Sequence, residues 1–461
     1  MRSRSRRPFV AAIALVVLVA ACGNSKSSGG AAPTTPSGGS TSQTTASGAD
    51  LSKNVPRLGV KGVTDKTIRV AVITSKTNPV GGKYHQYIDG IKAYFKTIND
   101  AGGIYGRQLV VASDRDDNTG LQNSQMVTAS LADDNAFATF LATLQFTGAD
   151  LLAKANEPTF TWNINPEFAS TPTVQHTSIF GTSGSVCFSC PGPLLPWLAE
   201  KNGFTKVGIV GYGVSAESKI CAEGTRDAFN RDTNGKIKVA FFDETVPFAG
   251  DLSADVAKMK TAGVQLVTTC LDTNEVVKLA NEMKKQGLNA VQNLPNAYDH
   301  DFLKANSALF EGSFVEPLNA PWETEPQSPA TKAYVAGIKA ITNDPVETTE
   351  LGWAMAMMFV DGLKGAGPEF TQQKVIDWLN SQKAYSAGGL LPAIDWTTGH
   401  IDPQKNVSAR LPEQCQPVLK ITGGKFVPFL PTPGKPFTCV DTSKDASQTP
   451  VMRSFAPGGV G

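Results

Sequence analysis

Histidine is scarce in this chain. Only four occur in 461 residues, His85, His176, His300 and His400, and no two share the spacing of a metal-binding pair. No G-x-S-x-G elbow is present, and neither is a G-x-G-x-x-G or P-loop glycine pattern. The usual anchors of histidine-based catalysis, of an exposed serine nucleophile and of a phosphate cradle are therefore missing. No enzyme activity, cofactor or metal is expected. Charge of one sign is missing too. Lys and Arg number 42 against 41 Asp and Glu, a net charge of +1. The two signs are well mixed, so there is no basic face of the kind that meets nucleic acid. Long apolar runs are absent as well: the block from Pro8 to Ala21 falls short of the ~20 residues that span a bilayer.

What is present starts at the first residue. Met1 is followed by Arg2, Arg4, Arg6 and Arg7, then by that short apolar block and small residues, the layout of a secretory signal over residues 1–21. An uncleaved weak anchor is the alternative. Val19-Ala20-Ala21-Cys22 resembles the lipobox of bacterial lipoproteins, which implies cleavage before Cys22 and acylation of its thiol. Two or three acyl chains would hold a protein on a membrane where one is marginal. From Gly23 to about Asp50 the chain is almost only Gly, Ser, Thr, Ala, Pro and Gln and cannot bury a core. With Cys22 it makes residues 22–60 a tether, flexible or O-glycosylated. At ~30 residues its span is roughly 30 Å.

Seven cysteines occur, and setting Cys22 aside leaves Cys187, Cys190, Cys221, Cys270, Cys415 and Cys439. An even number in an exported chain predicts disulfides, with fifteen possible pairings. Cys187-Phe-Ser-Cys190 has redox or half-zinc-site spacing, but no second such pair or histidine cluster supports a metal.

The body of roughly 400 residues is too long for one core. Thr67 to Ile73 is a β-branched run, the pattern of a strand covered on both faces. Tyr84, Tyr87, Ile88, Ile91, Phe95 and Ile98 recur at helical spacing. Strands and helices alternate to Trp162, and a second series starts at Lys206. That alternation predicts two α/β units with parallel sheets. After Phe314 three helices follow, then a Gly/Pro-rich region that Cys415 and Cys439 bracket and would close. From Thr442 no apolar pattern remains, and residues 441–461 read as disordered.

One stretch is specific: Asn99-Asp-Ala-Gly-Gly-Ile-Tyr-Gly-Arg107, a strand, then Asp114-Arg-Asp-Asp-Asn118. It resembles the N-x-A-G-G-I-x-G-R…D-D signature of type I periplasmic solute-binding proteins, the leucine/isoleucine/valine-binding-like branch. Asp395-Trp-Thr-Thr-Gly399 and Ile421-Thr-Gly-Gly-Lys-Phe426 are similar to its closing turns, so the likeness covers roughly residues 63–427. The glycines of Asn99–Arg107 end a helix and turn the chain, and Arg107 is expected to pair with a carboxylate. The resemblance implies two Rossmann-like lobes joined by a three-crossing hinge that close on a small molecule. Lobe one would hold residues 63–185 and 314–395. Lobe two would hold 186–313, with a return and closing segment at 396–440. The implied partners are a small-molecule ligand and a membrane ABC permease. The implied state is a monomer, lipid-anchored on the extracytoplasmic face of the cell membrane. The alternative is an envelope sensor or structural lipoprotein that keeps the fold and feeds no permease.

The family's ligand loops fall on Ser75–Gly82, Thr143–Thr147 and Asn163–Asn165. Candidate contacts are Thr143, Gln145, Phe146, Thr147, Trp162, Asn163 and Asn165. In lobe two they are Tyr212, Asp272, Tyr298 and Asp299, the acids being suited to a ligand ammonium or, equally, to capping helices. The bulky groups in these loops depart from an ordinary α-amino-acid site. They suit an amino-acid-like or a less polar, aromatic-containing solute between aromatic walls. Cys221, early in a lobe-two helix, and Cys270, ending a neighbouring strand, would meet at the carboxyl side of that sheet. Cys187 and Cys190 are then left to each other.

Overall fold

A computed structural model describes residues 51–57, 59–187, 192–343, 345–406, 410–456 and 459–460. Cys22, most of the tether and Cys190 lie outside the described residues. Two mainly parallel sheets carry the fold. The first has the order β2-β1-β3-β4-β5. Its strands are β1 (Thr67–Thr74), β2 (Gln108–Asp116), β3 (Ala138–Ala142), β4 (Thr159–Thr161) and β5 (Ile179–Gly181). Helices α1 (Tyr87–Asp100), α2 (Asn123–Asp133) and α3 (Ala149–Lys154) connect them. Val70 to Ile73 are fully buried, because helices cover both faces of a parallel sheet.

The second sheet runs β13-β12-β10-β9-β8-β6-β7. It follows α4 (Leu194–Lys201) with β6 (Lys206–Tyr212), α5 (Ala216–Asp232), β7 (Lys238–Val246), α6 (Ser253–Ala262) and β8 (Leu266–Cys270). Next come α7 (Thr273–Gln286), β9 (Val291–Leu294), α8 (His300–Phe310) and β10 (Phe314–Val315). Since β10 pairs with β9 in this sheet, the second crossing leaves after Val315, slightly later than the expected boundary at Ser313. The chain then returns to lobe one as α9 (Pro329–Ile338), α10 (Glu347–Ala366) and α11 (Gln372–Asn380). A Cβ on Gly90 of α1 would collide with the Thr349 carbonyl, and one on Gly352 with that of Tyr87, so glycine lets α1 and α10 touch backbone to backbone.

After the third crossing come β11 (Glu413–Gln416), the hairpin β12 (Leu419–Thr422) and β13 (Lys425–Pro428), β14 (Phe437–Asp441) and β15 (Val451–Arg453). The hairpin completes the second sheet, and β11-β14-β15 form a separate one. The segment expected to lack structure from 441 therefore carries β15, which pairs with β14 and has Ala446 buried. Its order comes from pairing of short strands and from Ala446 N–H donating to the distant Asp232 carbonyl, which leave no periodic trace. Residues 51–57 are likewise tied to lobe one: Arg57 Nη2 donates to the Phe370 carbonyl at 2.7 Å. Arg107 does not pair with a carboxylate as expected. It donates to the carbonyls of Thr64, Tyr105 and Val55, fixing the start of β2 against that lead-in.

Disulfides join Cys221–Cys270 and Cys415–Cys439. Cys187 is also disulfide-bonded. Glu413, Cys415 and Cys439 lie together, but both sulfurs are oxidised and neither is a thiolate ligand. No helix among the described residues is long and apolar enough to cross a membrane.

Candidate interlobe binding cleft

In parallel α/β sheets the loops at the carboxyl ends of the strands form the ligand crevice. Here those loops, from both sheets, enclose one cleft of ≈ 510 Å³, within the usual range of small-molecule sites. Lobe one contributes Gly81 to Tyr84 after β1, Trp162 after β4, and Val346 to Thr348 at the start of α10. Lobe two contributes Asp272 to Asn274 after β8 and Asn296, Tyr298 and Asp299 after β9.

Three helix N-termini open onto this space, those of α7, α8 and α10. Each brings the positive end of its dipole and an acidic side chain, Asp272, Asp299 and Glu347 in turn. Asp299 caps α8: its Oδ1 accepts from the N–H groups of Asp301 and Phe302 at 2.9 and 3.0 Å. Its Oδ2 pairs with Lys83 Nζ at 2.8 Å, so one carboxylate serves both expected roles of cap and cleft residue. Asp272 sits at the cap position of α7 without capping it. Its Oδ1 accepts from the Tyr84 hydroxyl at 2.6 Å, across the lobes. Burial pushes the Asp272 carboxyl up to about 6, the Tyr84 bond opposing and Glu275 adding to the rise. Glu347, in the first turn of α10, accepts from Leu318 N–H at 2.6 Å and is pushed up to about 8 by burial.

The aromatic wall is real. Trp162 stacks on Tyr84 with centroids 5.3 Å apart. Tyr298 packs on Trp322 at 4.4 Å and donates its hydroxyl to Glu323 at 2.6 Å. Of the residues expected at the site, Trp162, Asp272, Tyr298 and Asp299 line the cleft.

The others do not. Thr143 is fully buried and bonds the Gln145 carbonyl, while Gln145 N–H is directed back to Thr143 Oγ1. Phe146 is core, and Thr147 accepts from Ser124 N–H at 3.2 Å, on the α2 side. Asn163 accepts from Thr182 Oγ1 and Ser183 N–H, holding β4 to the first crossing. Asn165 donates to the Thr143 carbonyl. Tyr212 lies beneath the floor, donating to Glu275 at 3.0 Å. Polar groups in these turns are consumed by the turns themselves, which residue type alone does not reveal.

Lys83, Tyr84, Glu347 and Thr348 carry no sequence signal that singles them out as cleft residues, whereas Asn274 follows the same strand end as Asp272. Asn274 donates to the Pro79 carbonyl at 3.1 Å and lies against Gly81, and Thr348 Oγ1 donates to Lys83 O at 3.1 Å. The first ligand loop, expected to end at Gly82, extends to Lys83 and Tyr84. Tyr84 is legible in the sequence only as an apolar helix position. No histidine or cysteine is among the lining residues.

The sequence matches the family model described as periplasmic binding protein over residues 67–408. The chain belongs to this family. Solved structures share the type I fold. The fatty acid ABC transporter substrate-binding protein of Thermomonospora curvata is similar at 20% identity and TM-score 0.64, covering 80% of this chain and 94% of that one. A branched chain amino acid ABC transporter of Thermus thermophilus with bound valine is similar at 17% and 0.63, covering 80% and 97%. A solute binding protein from R. palustris in complex with benzoate is similar at 15% and 0.61, covering 83% and 100%. Among curated proteins no sequence relative matches. Within the periplasmic binding family, the two sheets and the cleft between them are the parts of a solute-capturing protein, and the family is made up of non-enzymatic binders.

Proposed function

We propose that this chain is the lipid-anchored, extracytoplasmic solute-binding component of an ABC importer, with Cys22 as the acylated residue and a membrane permease as partner. It works as a monomer and captures one small molecule by hinge closure, without covalent chemistry. The observation that carries this reading is the cleft itself. Both lobes line it, and hydrogen bonds already join them across it through Tyr84–Asp272 and Lys83–Asp299. A ligand contacting both walls stabilises the closed arrangement by its differential affinity for that state. The walls of Trp162, Tyr84 and Tyr298 support an amino-acid-like or less polar, aromatic-containing solute. The neighbouring structures, named for fatty acid, valine and benzoate, show that this fold serves solutes of several classes.

A thermal-shift screen of the mature chain against amino acids, aromatic and aliphatic acids, amides and short peptides tests this. A ligand at a hundred times its Kd adds ~2.7 kcal/mol and raises the midpoint. A shift confined to one chemical class establishes capture and names the class. A folded, ligand-free protein that shifts with nothing overturns the importer reading in favour of a sensor or structural lipoprotein. Radiolabelled palmitate on wild-type protein and not on Cys22→Ser checks the anchor.

A further inference from the structure

The family match ends at residue 408, and β11 begins at Glu413. The chain beyond that point packs against the first two segments that join the lobes and against lobe one. On the first crossing, a Cβ on Gly192 would collide with Gln414 Oε1 of β11, which also accepts from Leu194 N–H at the start of α4 at 3.4 Å. On the second, Gln416 Nε2 donates to the Glu316 carbonyl at 2.9 Å, and Gly434 N–H to the Glu325 carbonyl at 3.1 Å. In lobe one, Gly389 approaches the Phe455 carbonyl so closely that a Cβ there would collide with it. Phe437, Cys439 and Phe455 form one buried cluster with Ala320 of the second crossing, and Ala393 of lobe one packs against it. The second crossing is bonded to lobe one beneath it, Ala320 N–H to Leu390 O at 2.8 Å.

The far end of the same sheet is fixed to lobe two. Ala446 N–H donates to Asp232 O at 2.8 Å, and Asn234 Nδ2 to Asp445 at 2.6 Å. Within the sheet, Cys415 and Cys439 are register partners on β11 and β14 and are bonded through sulfur. Opening the lobes requires φ/ψ changes in the crossings. A sheet seated on two of the crossings, stapled and tied to both lobes, raises the cost of those changes.

We infer that the β11-β14-β15 sheet is a hinge clamp, which holds the crossings and biases the two lobes toward closure. The device needs no ligand, so it stands or falls separately from the transport reading.

The test is small-angle X-ray scattering with amide hydrogen exchange on the mature chain, in wild type, C415S/C439S and Gln416→Ala. The variant C221S/C270S, which loses a disulfide lying wholly within lobe two, is the control. Both clamp variants are expected to raise the radius of gyration and to speed exchange in 316–328 and 389–395 about tenfold. The control is expected to melt earlier with both readouts at the wild-type value. Gln416→Ala keeps every core side chain and preserves the test if C415S/C439S does not fold. Unchanged radius and exchange in Gln416→Ala, or equal opening in the control, overturns the clamp.

Discussion

Single side chains decide how the cleft behaves, and two of them permit sharp tests. Tyr84 donates to a buried carboxylate of the opposite lobe. A hydrogen bond to a charged group contributes roughly 1.5–3 kcal/mol, so Tyr84→Phe is expected to lower the denaturation midpoint by about that free energy. The same change leaves Asp272 buried without its donor and raises its carboxyl further. Glu347 offers a pH test. Its carboxyl titrates at about 8 in the fold against an ordinary 4.5. A raised carboxyl favours the folded state fully below its unfolded value, and that advantage is lost as pH climbs through 8. Glu347→Gln keeps an acceptor for Leu318 N–H and cannot ionise. Its melting midpoint should match wild type near pH ~4 and exceed it by a few degrees near pH ~8.5. Equal midpoints at both ends would show that Glu347 is solvated. Asp272 and Asp299 were legible in the sequence as acids after strands. Their partners Tyr84 and Lys83 lie some two hundred residues away, and no local pattern links them.

At the scale of elements, contact between α1 and α10 was written into glycines whose purpose the sequence does not announce. Gly90 faces the Thr349 carbonyl. Gly90→Ala forces the helices apart, and overpacking of this kind costs about 1–3 kcal/mol. Urea midpoints should fall accordingly. The alternation of β-branched runs with amphipathic helices was readable because parallel strands are covered on both faces. The Cys221–Cys270 bridge followed from the same placement of strand ends. By contrast β11, β14 and β15 have only four, five and three residues, too few to show a period.

On the scale of the whole molecule, the lobes have separate sheets and meet through a few polar bonds across the cleft. Removing two of these together, with Tyr84→Phe and Asn274→Ala, is expected to raise the radius of gyration in solution scattering. Far-ultraviolet circular dichroism should stay unchanged. A loss of helical signal would mean that the bonds hold the lobes folded and not merely together.

The sequence by itself determined the fold class, the two-lobe plan, the signal-like start and the sides of the sheets on which a cleft would open. These follow from periodicity, turn residues and the geometry of parallel sheets, all local or repeated along the chain. Tertiary structure alone decided which loop residues face the cleft. Thr143, Asn163 and Asn165 turned inward to satisfy their own backbone, while Lys83 and Tyr84 reached the opposite lobe. A side chain's hydrogen-bond partner is set by what the fold brings within about 3 Å, and that proximity is not encoded in the neighbouring residues.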